Sequence, residues 1–255
     1  MTEDSKRRWH PSAGLTLFGR KPALEALMDP LLEIHCLHLA NSNRSDGIIT
    51  QIVTEAERRG VETRFHERQA LSRISKNGRQ DQGVALDVIC PSFQVLDALL
   101  ASSTPPKSLL ALDGITNPQN VGMIIRSAVA AGIDGVLYPQ RGIASLGPLV
   151  IKASAGTIFR APIIRCDTTL SALTSLKASG FRVAILEAHA TGSIYDLDGH
   201  SPTVCVLGGE SHGISNEVRV LADATLSVPM ANDVESLNVA VTGALVAFQM
   251  VRPAR

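Results

Sequence analysis

The stretch Gly209-Glu210-Ser211-His212-Gly213 has the G-x-S-x-G spacing of a nucleophile elbow, with an apolar strand-like run before it and a helix-like segment after it. That chemistry needs an acid and then a histidine farther along the chain, so that a separate loop can aim an imidazole at the serine Oγ. His212 is the last histidine of the chain and adjoins Ser211, where its ring points away from a serine on the same turn. Ser211 is therefore not read as a nucleophile, and the glycines need another reason. A second pattern, Gly14 to Lys21, has the outline of a Walker A loop but lacks the Lys and Ser or Thr that must follow its last glycine to reach phosphate and magnesium.

Two further strand ends hold polar groups at informative spacings. In Leu112-Asp113-Gly114-Ile115-Thr116-Asn117-Pro118-Gln119-Asn120-Val121-Gly122 a strand stops, Pro118 forces a turn, and Asn120 is placed to cap the next helix. Along that helix Gly122, Arg126 and Ala130 are four apart and share a face, which invites close approach to the arginine. In Val228-Pro229-Met230-Ala231-Asn232-Asp233-Val234-Glu235-Ser236-Leu237-Asn238-Val239 a strand gives way to a polar loop at the mouth of an almost wholly apolar helix. Ser236 is a candidate cap for its open N–H groups, and Asn238, expected to be buried, needs hydrogen-bond partners. The Gly208-Gly209 pair lets backbone come close to a ligand, with Glu210 at the strand's C-terminal end, but the G-G-x-x-x-G spacing is not a dinucleotide fingerprint.

These loops need a scaffold of strands that end together. The 255 residues suffice for two modest domains, and 45% hydrophobic content with only 4% aromatic suits helices packed on buried parallel strands, an α/β class. Twenty-four basic and 24 acidic residues cancel, so any polyanion must be met by a local patch. Cys36, Cys90, Cys166 and Cys205 form no C-x-x-C pair, which argues against zinc and a disulfide framework and fits a reducing cytoplasm; no metal is expected. The N-terminus lacks a signal-peptide core and no run approaches a membrane span. Residues 1–14, with Lys6-Arg7-Arg8-Trp9, read as a flexible tail, and 101–108, with its Pro-Pro pair, as the linker. Between them, 15–100 alternates helices (FGRKPALEALMD, GIITQIVTEAERRG, ALSRISKNG) with strands (EIHCLHLA, VETRFHE, GVALDVIC). Its cations Arg58, Arg59, Arg64, Arg68, Arg73, Lys76 and Arg79 are interleaved with Glu55, Glu57, Glu62, Glu67 and Asp81, so a mixed solvated surface and an RNA-facing patch both remain open. In 109–255, strands alternate with helices as in a parallel sheet covered on both faces, where ligands sit at strand C-termini.

The three loops NPQNVGMIIRSA, LGGESHGIS and VPMANDVESLNVAV, in this order and at these separations, resemble the three signature motifs of the SpoU (TrmH-like) family of RNA ribose 2′-O-methyltransferases. The resemblance covers nearly the whole chain. It implies an L30e-like RNA substrate-binding domain (15–100) ahead of a SPOUT domain (109–255) whose parallel sheet carries a C-terminal deep trefoil knot, a threading that general topology rules would vote against. It implies S-adenosylmethionine held by backbone around Gly208, Gly209, Val228, Met230 and Leu237, with Asn120, Arg126, Glu210, Ser236 and Asn238 lining the reacting site. It implies an RNA partner, and a homodimer in which each site is completed by Arg126 of the partner subunit. Ribosomal RNA is expected over transfer RNA by analogy with relatives that have a full L30e-like domain. A transfer RNA enzyme, a SPOUT base methyltransferase and an inactive RNA-binding relative are the alternatives; all five presumed site side chains being present disfavours the last.

Asn117, Met123, Ser127, Asn232 and Ala240 depart from residues frequent in these motifs, but none removes a presumed catalytic side chain. Asn232 replaces a usual glycine, where positive φ is expected and asparagine is the next most tolerant residue. The reaction would be in-line attack of a ribose 2′-hydroxyl on a sulfonium methyl, which requires the hydroxyl to lose its proton. Guanidinium groups keep their protons under ordinary conditions, so the resemblance's arginine is expected to bind the neighbouring phosphate and stabilise the developing alkoxide, with the proton passing to phosphate oxygen or water.

Overall fold

The computed structural model describes residues 13–44, 47–104, 106–197, 199 and 201–252. The expected basic tail Lys6–Trp9 and Pro105 of the expected linker lie outside them. The chain divides into two units, 1–91 and 92–255.

Unit 1 is a four-stranded sheet with helices: β1 (Gly14–Phe18), α1 (Arg20–Met28), β2 (Glu33–Ala40), α2 (Gly47–Arg58), β3 (Glu62–His66), α3 (Arg68–Ser75) and β4 (Val84–Ile89). The strand order is β1-β4-β2-β3, with β2 and β3 parallel and β4 antiparallel to both of its neighbours. Leu15, Leu17, Leu37, Leu39, Leu86 and Val88 alternate along three strands, and all are buried. The opposite face carries a polar network beside a small apolar cluster of Ala40 and Ala85 with Leu71 of α3. Thr16 Oγ1 donates to Asp87 Oδ1 at 2.6 Å, while His38 lies with Nε2 3.0 Å from Asp87 Oδ2 and Nδ1 3.0 Å from His66 Nε2.

His38 is only 5% exposed. Burial by itself pulls its pKa down, but the bonds to Asp87 and Cys36 outweigh that and leave it pushed up to about 9. His66 is pulled down, by burial and then by the His38 charge. A folded pKa above the unfolded value means that His38's contribution is complete below about pH 6.5 and is lost as pH rises through 9. The expected loss, partly offset by His66, is on the order of 2 kcal/mol between pH 6 and 9.5. Urea midpoints across that window check it: the wild type loses stability toward alkaline pH, and Asp87→Asn flattens the dependence.

Unit 2 begins earlier than the Pro-Pro linker. β5 (Gln94–Val95) pairs with the second sheet, and α4 (Leu96–Leu100) buries Leu96 and Leu99 in that sheet's core, so the expected assignment of residues 92–100 to the first domain is corrected. At the other end of unit 1, β1 starts at Gly14, one residue ahead of the expected domain start, and Cys90 N donates to Ala13 O at 2.9 Å. β1 was hidden inside the failed Walker pattern.

After α4 come β6 (Ser108–Asp113), α5 (Pro118–Ala131), β7 (Gly135–Pro139), α6 (Pro148–Ala153), β8 (Ile163–Cys166), α7 (Thr169–Ala178) and β9 (Arg182–Leu186). They are followed by β10 (Gly192–Ser193), β11 (Thr203–Gly208), α8 (Asn216–Leu221), β12 (Ala224–Ser227) and α9 (Val239–Met250). All eight strands are parallel, in the order β10-β12-β9-β11-β6-β7-β8-β5. The central strands are buried almost end to end, as expected of a sheet covered on both faces. On one face, Leu109, Leu137, Ile164, Val183 and Val204 pack with Leu173, Leu176 and Val218 of α7 and α8. α5 and α9 pack against each other, with Gly243 of α9 close to Leu207 of β11 and Ile124 of α5.

The chain runs outward from β6 through β7 to β8, then returns so that β11 lies between β6 and β9. The crevice at the carboxyl ends of β6 and β11 is therefore a topological switch point, where loops diverge and a ligand can enter. α5 starts there with Asn117 as N-cap, its side chain accepting from Gln119 N at 2.9 Å, and Pro118 in the first turn; it ends on Gly132 at φ 87. The expectation that Asn120 caps this helix is corrected. Asn117 does so, which frees Asn120.

Candidate active site

The loops after β6, β11 and β12 meet at the switch point. Gly209 N donates to Asp113 O at 2.8 Å, and Ser215 N to Asp113 Oδ2 at 2.9 Å, tying the second loop to the first. A Cβ on Gly209 would lie 2.1 Å from Gly114 O, and one on Gly208 would lie 2.5 Å from the Gly213 carbonyl carbon. The glycine pair is thus required first by the contact of two loops of the chain itself. Gly213 turns the second loop back at φ 64, and its N–H donates to Gly209 O at 2.8 Å. Ser211 and His212 sit exposed on this turn, with no hydrogen bond between them.

Asn120 is 4% exposed and links all three loops. Its Nδ2 donates to Glu210 Oε1, and its Oδ1 accepts from Asn238 Nδ2 at 3.2 Å. Asn238 Oδ1 in turn accepts from Ala240 N at 2.8 Å and caps α9. Asn238 is exposed, contrary to the expectation of burial, yet it has the partners that expectation called for; the cap is Asn238 and not Ser236. One amide, with donor and acceptor both used, fixes the positions of a carboxylate and a second amide contributed from 90 and 118 residues away.

In front of this network opens a cavity of about 540 Å³, lined by the ends of β9 and β11 and by the loop between β12 and α9. Eight of the ten residues singled out in the sequence line it: Gly208, Gly209, Glu210, Val228, Met230, Ser236, Leu237 and Asn238. Asn120 stands behind it through its bonds to two of them. Arg126 does not line it. It is exposed on α5, six residues beyond Asn120, which places it about 240° around the helix and about 9 Å along it. Gly122, expected to leave room beside Arg126, instead receives α6: a Cβ there would meet Ala153 Cβ at 2.5 Å and Val150 O at 2.6 Å. Asn232 and Asp233 in the third loop both take φ 57, as expected for Asn232 at a glycine position.

Sequence reasoning missed the wall from β9. Leu186, Glu187 and Ala188 line the cavity, and Glu187 is held by Arg219 of α8 at 2.7 Å. The signal was the placement of an acid at a strand's carboxyl end, but only the insertion of β11 beside β9 brings that end to the cavity. Thr242, one turn into α9, lines it too.

The cavity suits S-adenosylmethionine. Leu186, Leu207, Val228 and Leu237 offer apolar walls for a flat base, backbone groups at two strand ends offer donors and acceptors, and Glu210 and Glu235 supply negative charge for a cation. Among the described residues no group of three His, Cys, Asp or Glu side chains could hold a metal ion, and no helix is long and apolar enough to cross a membrane. The four cysteines are buried and none is in a disulfide, and burial pushes the Cys166 and Cys205 thiols up to about 12, which leaves them poor nucleophiles.

Residues 107–248 match the SpoU rRNA methylase family, and residues 16–94 match a family described as RNA 2′-O ribose methyltransferase substrate binding. An uncharacterized tRNA/rRNA methyltransferase of Mycobacterium ulcerans is 38% identical over 242 residues, 94% of this chain and 77% of that protein. Its counterpart in Mycobacterium leprae is 37% identical over 94% of this chain and 78% of its own. Among solved structures, the SpoU methyltransferase AviRb from Streptomyces viridochromogenes in complex with AdoMet superposes with a TM-score of 0.63 at 22% identity, covering 94% of this chain and 90% of that one. A putative RNA methyltransferase of the TrmH family from Porphyromonas gingivalis gives 0.60 at 26% identity, covering 93% and 89%.

Proposed function

The chain belongs to the SpoU rRNA methylase family and is an S-adenosylmethionine-dependent tRNA/rRNA methyltransferase, and from that premise we propose that it methylates a ribose 2′-hydroxyl, in ribosomal RNA. The observation that carries the proposal is the three-loop network of Asn120, Glu210 and Asn238 behind a cavity of about 540 Å³. Ribosomal rather than transfer RNA is favoured by the match of residues 107–248 to a family described as rRNA methylases, while the substrate-binding match over residues 16–94 supports an RNA substrate of either kind.

S-adenosylmethionine supplies a methyl group made electrophilic by a sulfonium. Gly208, Gly209, Val228, Met230 and Leu237 would hold it, mostly through backbone. Asn238 and Ser236, on the same rim, orient the ribose by hydrogen bonds to its hydroxyls. Asn120 holds Asn238 and Glu210 in place, and Glu210 adds negative charge to the rim. Arg126 binds the phosphate beside the target ribose and stabilises negative charge growing on the 2′-oxygen, whose proton passes to phosphate oxygen or water.

Arg126 reaches that position from a second copy of the chain. α9 is almost wholly apolar yet leaves Val241, Leu245 and Phe248 exposed at 49%, 38% and 55%, in a stripe with helical spacing, and α5, which packs against it, exposes Met123. Covering this face by a homodimer would bury the stripe and bring the α5 helices of two copies into the contact. The insertion of β11 between β6 and β9, followed by the return of α9 onto α5, supports threading of the C-terminal segment as a trefoil knot. Four cysteines with no disulfide among them fit work in the cytoplasm.

Transfer of tritiated methyl from S-adenosylmethionine to RNA of a strain lacking this gene tests the function. Label in a 2′-O-methylnucleoside from large ribosomal RNA is expected. Label in transfer RNA would move the substrate, label on a base would sink the ribose assignment, and absence of cofactor binding would leave only an RNA-binding scaffold.

A further inference from the structure

The cavity wall that comes from β9 ends in a carboxylate that the three-loop network does not use. Of the acids on the lining, Glu210 is bonded to Asn120, Glu235 belongs to the third loop, and Glu187 stands just past the carboxyl end of β9. Its backbone is fixed, since its N–H donates to Leu226 O of β12 at 2.9 Å. Its side chain is fixed as well. Oε1 is closed off from solvent and lies 2.7 Å from Arg219 Nη2, while the side chain as a whole keeps 31% of its surface. The guanidinium takes one oxygen, and the accessible remainder of the side chain belongs to the cavity wall.

Sheet order puts this acid opposite the reacting network. β11 lies between β6 and β9, so the strand that leads to Asn120 and the strand that leads to Glu187 are two strand spacings apart, about 10 Å. Gly208 and Gly209 cross that gap at the end of β11. Arg219 belongs to α8, which begins directly after the second loop, and Ser215 N at its start is tied to Asp113 Oδ2 at 2.9 Å. The segment that brings Glu210 to one side of the cavity thus also brings the arginine that holds Glu187 on the other.

An ion-paired carboxylate is a poor counter-charge for a second cation, because Arg219 already answers its charge, but it remains a strong acceptor for a hydroxyl. S-adenosylmethionine offers two neutral hydroxyls, both on its ribose. We propose that Glu187 accepts a hydrogen bond from the ribose of the cofactor, with Arg219 as the positioning residue, so that the nucleoside takes the β9 end of the cavity, across the glycine pair from Glu210. The assignment rests on the S-adenosylmethionine reading above. An acid placed after a strand of a parallel sheet serves the ribose of dinucleotides in the same way, and Leu186, Leu207 and Val228 supply the apolar surface for the base beside it.

Calorimetric titration of the full chain with S-adenosylhomocysteine, and with its 2′-deoxy and 3′-deoxy counterparts, tests the assignment without RNA and without turnover. The wild type is expected to bind one or both deoxy ligands ten- to hundred-fold more weakly, the range of a hydrogen bond to a charged group. Glu187→Ala is expected to bind all three within about two-fold of one another, at the wild type's affinity for the weaker deoxy ligand. Glu187→Gln, which keeps an acceptor, preserves part of the discrimination, and Arg219→Ala loses part of it. A wild type that binds the three ligands alike would overturn the assignment while leaving the cofactor reading intact. So would a Glu187→Ala variant that binds all three more weakly but keeps the wild-type preference, the mark of a residue that only shapes the wall. Undiminished discrimination in Arg219→Ala would overturn the positioning role. No binding of S-adenosylhomocysteine by the wild type would remove the cofactor reading and the assignment together.

Discussion

Arg126→Ala lowers methyl transfer by a factor on the order of a hundred or more while S-adenosylmethionine affinity stays within about two-fold. The two halves of this expectation come from different observations. Arg126 is exposed, makes no ion pair among the described residues and lies outside the cavity lining, so its removal disturbs neither the fold nor the surfaces that would hold the cofactor. Alanine is also the best helix former for position 126 in α5. The loss in rate reflects the difference between binding a ground state and binding the charge that develops on the attacking oxygen, where an oriented donor is worth roughly 3 kcal/mol or more. Single-turnover rates with saturating cofactor, set beside calorimetric titration of S-adenosylmethionine, separate the two. Equal losses of rate and cofactor affinity would refute the role assigned to Arg126 and return it to the support of the cavity.

The contrast between Arg126 and the rest of the site also shows what could be read from residues alone. Loops were legible because they combine glycine, proline and amides where apolar strands stop, and eight of ten candidate residues line one cavity. What each residue does there was less legible. Asn117 and Asn120 are two equally good caps three positions apart, and only the location of Glu210 and Asn238 in space decides which is released for the site. The glycine pair looked like a concession to a ligand, but the first atoms a side chain would strike belong to Gly114 and Gly213. Leu186 to Ala188 went unnoticed because a strand's last residues look like core until the strand order is known. Similarly, β5 and α4 read as the tail of the first domain because their partner, β8, comes roughly 70 residues later. Periodicity reports which face of an element is buried, and says nothing about which distant element buries it.

A pair of inactive variants is expected to regain activity when combined in one dimer. If Arg126 serves the cavity of its partner, then in a heterodimer of Arg126→Ala and Asn238→Asp subunits one cavity has an intact Asn238 and receives an intact arginine, while the other has lost both. Aspartate at 238 keeps the acceptor that caps Ala240 N, so α9 retains its start, but it loses the Nδ2 donor to Asn120 and places a second carboxylate beside Glu210. Each homodimer is therefore expected at or below about one hundredth of wild-type activity. Heterodimers, co-expressed with two different tags and purified through both, are expected at about one half of it, since one of two sites is whole. An arginine acting within its own subunit predicts no recovery at all, because each cavity would then carry one lesion. The position of Arg126, about 240° around α5 from Asn120 and outside the cavity lining of its own chain, favours recovery, as does the exposed stripe of Val241, Leu245 and Phe248 that the proposed second copy would cover.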